Sequence, residues 1–257
     1  MGRVLIISSQ VASSRVGASA GRFVLERLGH EVVVLPTVLL GRHPGWGAPG
    51  GGAIATDHLR SMWDSIAAQE LTFDAILTGY FANTDQIDLA RSIITTLNPD
   101  LCLVDPVIGD HGQLYVPQSV AEAIRDTLIP LAHLITPNDW EHEWLTADAL
   151  IPAGVNTLIT SYADGEKIGA LYKADSQNLR VSHEQFDSVP HGGGDTLAAL
   201  WLAHALDGIS AKDNLARSVG SVLALLRHAV KTDAGEIALV RCQDDLLHPE
   251  ALEVHHV

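Results

Sequence analysis

With 257 residues, 47% of them hydrophobic, and a mean hydropathy of +0.16, the chain holds enough apolar material for a substantial core. Its 16 basic side chains face 31 acidic ones, and the formal net charge of −15 argues against general nucleic-acid binding, which depends on a basic surface. Two cysteines, Cys102 and Cys242, imply no disulfide framework, which suits a reducing cytoplasm, and no apolar run reaches the roughly 18–20 residues that span a bilayer.

The opening MGRVLIISSQ runs straight into a strand pattern and lacks a signal peptide's cleavage region. VLIIS (4–8) reads as a strand buried on both faces, and 17–29 as a helix stopped by Gly29. EVVVLP (31–36) predicts a β-branched strand ending at Pro36, and GRHPGWGAPGGG (41–52) is too rich in glycine and proline to be regular. A helix over 58–69, a strand over 75–80, a helix over 84–97 and a strand over 101–106 follow. A helix over 117–132 opens with Pro117, then come a strand over 133–138 and a helix over 139–150. After a strand at 157–162, segments 167–173 and 179–186 predict antiparallel strands at a sheet edge. Helices over 194–206 and 211–230 and a final strand over 237–240 complete the pattern. In the second helix Leu215, Val219, Val222, Leu226 and Val230 recur at helical spacing and read as core; His255 and His256 read as a solvated tail. The alternation predicts a three-layer α/β/α sandwich with a mostly parallel central sheet and antiparallel edge strands, as one domain over residues 1–257.

Ligands of such sheets bind beyond the carboxyl ends of the strands. That rule selects SSQVAS, TGYFAN, DPVIGDHG, TPNDWE and TSYADG. Asp105, Asp110, Asn138 and Glu141 are hard oxygen groups suited to Mg²⁺ held largely by phosphate and water, although Asp105 also reads as a turn former and Glu141 as a first-turn helix acid. HGGGDTLAALWLAHAL (191–206) sets three consecutive glycines and Asp195 at the mouth of a buried helix. A lone Gly-Asp pair would be a cap, but three glycines exceed that need, and a helix start with bare backbone holds anions. GWGAPG (45–50) matches a dinucleotide fingerprint only formally, since it opens no helix and contains Pro49. The chain has no Walker A motif, no zinc motif and no nucleophile elbow.

TGY, DPVIGDHGQLYVP, LITPNDWEHEWL, TSYADG and GGGDTLAALWLA, in this order, closely resemble the pyridoxal kinases of the ribokinase-like superfamily, and the likeness covers about residues 4 to 230. The resemblance implies ATP-dependent phosphorylation of the 5′-hydroxymethyl group of pyridoxal, with pyridoxine and pyridoxamine as further substrates, in a cytoplasmic homodimer. It makes Asp195 the catalytic base and Gly192, Gly193 and Gly194 the anion hole. It sets Asp105 and Glu141 near Mg²⁺ and the ATP phosphates with Asp110 and Asn138 close by, and Thr160 and Ser161 in the nucleotide-side loop. Ser9, Val16, His43, Pro44, Gly45 and Tyr80 match segments lining the pyridine pocket, with Tyr115 in the neighbouring loop. A monovalent cation such as K⁺ belongs to the same expectation.

The chain departs from the family pattern at three places. Gly193 stands where threonine or valine is usual, Pro44 replaces a frequent threonine, and Trp46 a frequent tyrosine. Two alternatives therefore stay open: a kinase for hydroxymethylpyrimidine or another small heterocyclic alcohol, and a non-catalytic protein that binds B6 vitamers.

Overall fold

The computed structural model describes residues 1–257. The chain opens with β1 (Arg3–Val11), α1 (Ala18–Arg27) and β2 (Glu31–Leu40). A 3₁₀ turn at Pro44–Trp46 leads to β3 (Gly51–Ala53), followed by α2 (Thr56–Ala67), β4 (Ala75–Thr78), α3 (Thr84–Leu97) and β5 (Leu101–Val104). A small hairpin, β6 (Gly109–Asp110) and β7 (Gln113–Leu114), precedes α4 (Gln118–Ala123), β8 (Leu134–Ile135) and α5 (Asp139–Thr146). Then come β9 (Asn156–Asp164), β10 (Lys167–Ala174), β11 (Gln177–Glu184), α6 (Gly193–Leu206), α7 (Ala211–Lys231), α8 (Asp244–Leu247) and β12 (His255–His256).

Ten strands form one sheet in the order β12-β11-β10-β9-β8-β5-β4-β1-β2-β3. All pairings from β2 through β9 are parallel. Antiparallel strands close both edges: β3 beside β2, and β10, β11 and β12 beyond β9. In β1, Val4 and Ile6 point into a core shared with α1, α6 and α7, while Leu5 and Ile7 point into a second core with α2, α3, α4 and α5. A strand buried on both faces has no polar alternation, which is why VLII reads as an unbroken apolar run.

Five local expectations change. The strand predicted to stop at Pro36 runs on to Leu40, because the β1–β2 register shifts between Ser8 and Gln10 and the irregularity absorbs a residue with no N–H to give. The segment 41–52 is less irregular than expected, since Gly51–Ala53 pair with Val38–Leu40. The helix predicted over 117–132 is regular only to Ala123, then passes through a π turn at Ile124–Leu128 and a 3₁₀ turn at Ile129–Leu131. Pro130 cannot donate to the turn before it, so the regular ladder cannot continue. The strand predicted over 237–240 does not form: the Ile237 N–H donates to the His191 carbonyl, after which the chain curls, with Leu239 N–H to Ile237 and Cys242 N–H to Ala238. His255 and His256, read as a tail, pair with Arg180 and Leu179 of β11, their side chains exposed.

Helix α6 is apolar around its whole circumference, and every residue from Thr196 to His204 is buried between the sheet, α1 and α7. Trp201 stacks on Tyr172 of β10 at 5.0 Å between ring centroids. This burial fixes the direction and depth of the helix start. Leu200→Ala, at a fully buried position, is expected to cost about 2–5 kcal/mol in denaturant unfolding; a loss below about 1 kcal/mol would show that α6 is not rigidly packed.

Candidate active site

The glycines at the start of α6 are not equivalent. Gly192 has φ +97°, and a Cβ there would lie 2.8 Å from the Arg15 carbonyl oxygen and 3.3 Å from Ile237, so only glycine fits. Gly193 and Gly194 already have helical backbone; the nearest atom to a Cβ at 193 is Val222 at 3.9 Å, and none lies within 4 Å of one at 194. Within this chain nothing forbids alanine at either position, although glycine in a helix costs roughly 0.5–1 kcal/mol relative to alanine. That unrecovered cost points to a group that approaches from outside. No side chain caps the helix, so the N–H groups of its first turn are open to an anion.

Asp195, in the same turn, lines a cavity with Ser8, Gly17, Gly79 and Asp105. The cavity sits at the carboxyl ends of β1, β4 and β5, where the sheet offers a crevice. Asp105 is buried and accepts a hydrogen bond from the Thr136 hydroxyl at 3.0 Å. Burial, the Asp195 charge and the Glu141 charge hold its carboxyl well above the ordinary carboxylate range, against that bond. Burial raises Asp195 as well, opposed by the Gly17 N–H. Both carboxylates line one poorly solvated cavity, where a bound cation would relieve their charge.

Glu141 does a different job from its neighbour. Its Oε1 accepts from Ile108 N–H at 2.7 Å and Gly109 N–H at 3.1 Å, and its Oε2 from Asn138 N–H at 2.9 Å. Asn138 completes a capping box on α5 by accepting from Glu141 N–H at 2.8 Å, and its amide donates to the Gly109 carbonyl. Both residues thus brace the loop after Asp105, which contains Val107 at φ +38°, a conformation a β-branched residue adopts only under constraint. Burial pushes Glu141 up to about 7 although the three N–H groups favour its charged form. Asp110, in the β6–β7 hairpin, is not among the cavity residues and accepts from His111 N–H. Tyr115 is exposed, with its phenol pushed up to about 12 by partial desolvation and by the Asp110 and Glu141 charges. No three acidic, histidine or cysteine side chains converge into a ready cation cage. The donor set therefore fits a hard cation only if phosphate and water complete the shell, as Mg²⁺ prefers.

Thr160 bridges to Asn138, and its N–H donates to the Pro137 carbonyl at 2.8 Å. Ser161 is the extra residue where the β9–β10 register shifts, exposed and at φ +54°. On the opposite flank, Ser9 packs against Gly17, and Val16 is buried beside it. The Tyr80 carbonyl accepts from the Thr37 hydroxyl at 2.6 Å. His43, Pro44 and Gly45 form the turn after β2, and the His43 ring lies 4.2 Å from His191 and 5.8 Å from Trp46. A Cβ at Gly45 would sit 3.0 Å from His43 and 3.1 Å from His191, so glycine lets these rings meet. Burial and the neighbouring His191 lower the His43 pKa, against the Glu236 charge. A second cleft lies along the segment that leads into the glycines, lined by Phe186, Ser188, Pro190, Val230, Asp233 and Ala234. Val230, expected in the core, is 38% exposed there.

The strand-end rule selects the segments that hold Ser8, Gly79 and Thr136 without singling out these residues, and it assigns no role to Gly17 of the cavity. The meeting of His191 with His43 and Trp46 is not legible in the sequence, because it arises only when distant segments come together.

The model of the phosphomethylpyrimidine kinase family matches residues 52–239. A pyridoxal kinase of Corynebacterium diphtheriae is 32% identical over 96% of this chain and 96% of its own. The crystal structure of pyridoxal kinase from Entamoeba histolytica superimposes with a TM-score of 0.91 at 25% identity, covering 100% of this chain and 99% of the other. That of pyridoxal kinase from Leishmania donovani in complex with ADP and pyridoxamine gives 0.87 at 23% identity, with both chains fully covered, a likeness of fold. On these likenesses the chain belongs to the phosphomethylpyrimidine kinase family, in the branch of the pyridoxal kinases.

Proposed function

We propose that this chain transfers the γ-phosphoryl group of ATP to the 5′-hydroxymethyl oxygen of pyridoxal, giving pyridoxal 5′-phosphate and ADP. The observation that carries the reading is the pairing of an uncapped glycine helix start with Asp195 on one cavity wall. Phosphoryl transfer asks little of the protein beyond alignment and stabilisation of charge. Asp195 aligns the acceptor alcohol and takes its proton as the oxygen bonds to phosphorus, and desolvation, which raises its carboxyl above the ordinary range, makes it a stronger base than a solvated carboxylate. The N–H groups of Gly193 and Gly194 face the oxygens on which negative charge collects. His43, Trp46 and His191 offer flat faces to a pyridine ring.

The second cleft, with Phe186, Val230 and Ala234, supplies the apolar surface for the nucleotide base. The Leishmania relative was solved with ADP and pyridoxamine, which supports a nucleotide and a B6 vitamer as the ligand pair. Asp105 is the carboxylate suited to Mg²⁺, with Glu141 and Asn138 bracing its loop and Asp110 further out. A bound Mg²⁺ would neutralise charge on the phosphates. Action in the cytoplasm as a homodimer completes the proposal; no helix is long and apolar enough to cross a membrane. A second acceptor class, hydroxymethylpyrimidine, is favoured by the family's description and by Pro44 in the turn beside the rings. A substrate panel read by ADP release separates the two, pyridoxal being the expected winner; strong preference for the pyrimidine alcohol would replace it.

Asp195→Asn is expected to lower kcat by about 10²–10⁴-fold with nucleotide affinity within about twofold; near wild-type turnover would remove Asp195 from the role of base. Excess chelator is expected to abolish turnover and restored Mg²⁺ to recover it, whereas full activity in chelator would contradict the assignment of Asp105.

Because the folded-state pKa of Asp105 lies above its unfolded value, ionisation weakens the fold as pH rises beyond about 4. Asp105→Asn is thus expected to raise the unfolding temperature by roughly 2–4 °C at pH 8, with the gain vanishing near pH 4. A variant less stable than wild type at pH 8 would contradict the crowding of the carboxylates.

A further inference from the structure

We propose that Glu236 is a positioning residue for the reaction: its carboxylate fastens the acceptor-side loop 12–17 to the backbone that carries the glycine cradle. The inference rests on the kinase reading above. Glu236 follows α7 in a segment with no regular structure and is half-buried. Its Oε2 accepts from the Ser14 hydroxyl at 2.5 Å and from the Arg15 N–H at 3.0 Å. Ser14 is 1% exposed, so the hydroxyl is held away from water and has this carboxylate as its partner. Hydrogen bonds to an ionised acceptor are roughly twice as strong as neutral ones.

The main chain on either side of Glu236 grips the residue just before the cradle. His191 N–H donates to the Gly235 carbonyl, and Ile237 N–H donates to the His191 carbonyl, both at 3.0 Å. A third contact closes the triangle, because the α-carbon of Gly192 abuts the Arg15 carbonyl, where a Cβ would come within 2.8 Å. Loop 12–17 is anchored at its other end by Ala12 and Ser13, whose N–H groups donate to Leu40 and Gly41. Between those anchors, the Glu236 side chain holds the middle of the loop.

The consequence for chemistry runs through Gly17 and Val16. Gly17 lines the cavity with Asp195 and offers it an N–H, and Val16 is buried beside it. Release of Ser14 and Arg15 would let this wall drift relative to Asp195, and a displacement of about 1 Å is enough to cost on the order of 10²-fold in rate. Glutamine can place one oxygen where Oε2 lies, so it keeps both bonds in weaker form; alanine keeps neither.

The test compares wild type, Glu236→Gln, Glu236→Ala, Ser14→Ala and the Ser14→Ala/Glu236→Ala double variant by steady-state kinetics, thermal unfolding and amide hydrogen exchange. Glu236→Ala is expected to raise KM for pyridoxal and lower kcat by about tenfold each, with KM for ATP within about twofold. Glu236→Gln is expected to recover most of both, and Ser14→Ala to fall between. The double variant should be no worse than Glu236→Ala, because the two residues share one interaction. Wild-type constants in Glu236→Ala, or a loss confined to unfolding temperature with unchanged kinetics per folded molecule, would overturn the inference.

Amide exchange separates it from the parent reading. If wild type fails to phosphorylate pyridoxal, the kinase reading falls, while faster exchange at 14–17 and 192–194 in Glu236→Ala still supports the latch. Unchanged exchange there overturns the latch whatever the substrate.

Discussion

The start of α6 has to sit at a fixed point against the carboxyl edge of the sheet, and most of the molecule serves that constraint. A helix terminus acts on an anion only within its first turn, so an error in its depth removes the effect. Burial around the full circumference, from Thr196 to His204, supplies the fixity that a half-exposed helix would lack. The parallel core of the sheet then brings Ser8, Gly79 and Asp105 to the same edge, each from the end of a different strand.

Around that point the chain accepts local costs. Gly193 and Gly194 lower helix propensity without any packing need, Val107 holds positive φ, and Asp105 is kept where its charge is poorly solvated. Two of these are set against a structural support: α6 burial for the glycines, and the three N–H bonds of Glu141 with the Asn138 cap for the Val107 loop. Local strain concentrated beside a cleft and held by a well-packed frame is how binding sites are commonly built.

The frame was readable from periodicity because its signals are local. Apolar runs marked β1, β4 and β5, and amphipathic spacing gave α3 over 84–97 with the ends found in the structure. Local rules failed where a long-range pairing decided the outcome. Pro36 stays in a strand because β1 shifts register beside it, and 237–240 leaves the strand pattern because only His191 offers it a partner. Asp195 and the glycines stood out because they break helix preferences within one short stretch. Glu236 and Ser14 could not stand out, since 222 positions separate them and neither is unusual where it sits. Glu141 was legible as a first-turn acid, but its grip on Ile108 and Gly109 needed the loop to fold back on it.

Gly194→Ala probes the central constraint most directly, because the space for a methyl group is present and only an incoming ligand would object. The variant is expected to unfold at the same temperature or higher, gaining up to about 1 kcal/mol of helix preference, while phosphoryl transfer falls by at least about 10²-fold. Wild-type turnover in a normally folded Gly194→Ala protein would contradict the account, because the bare backbone would then have no ligand to admit.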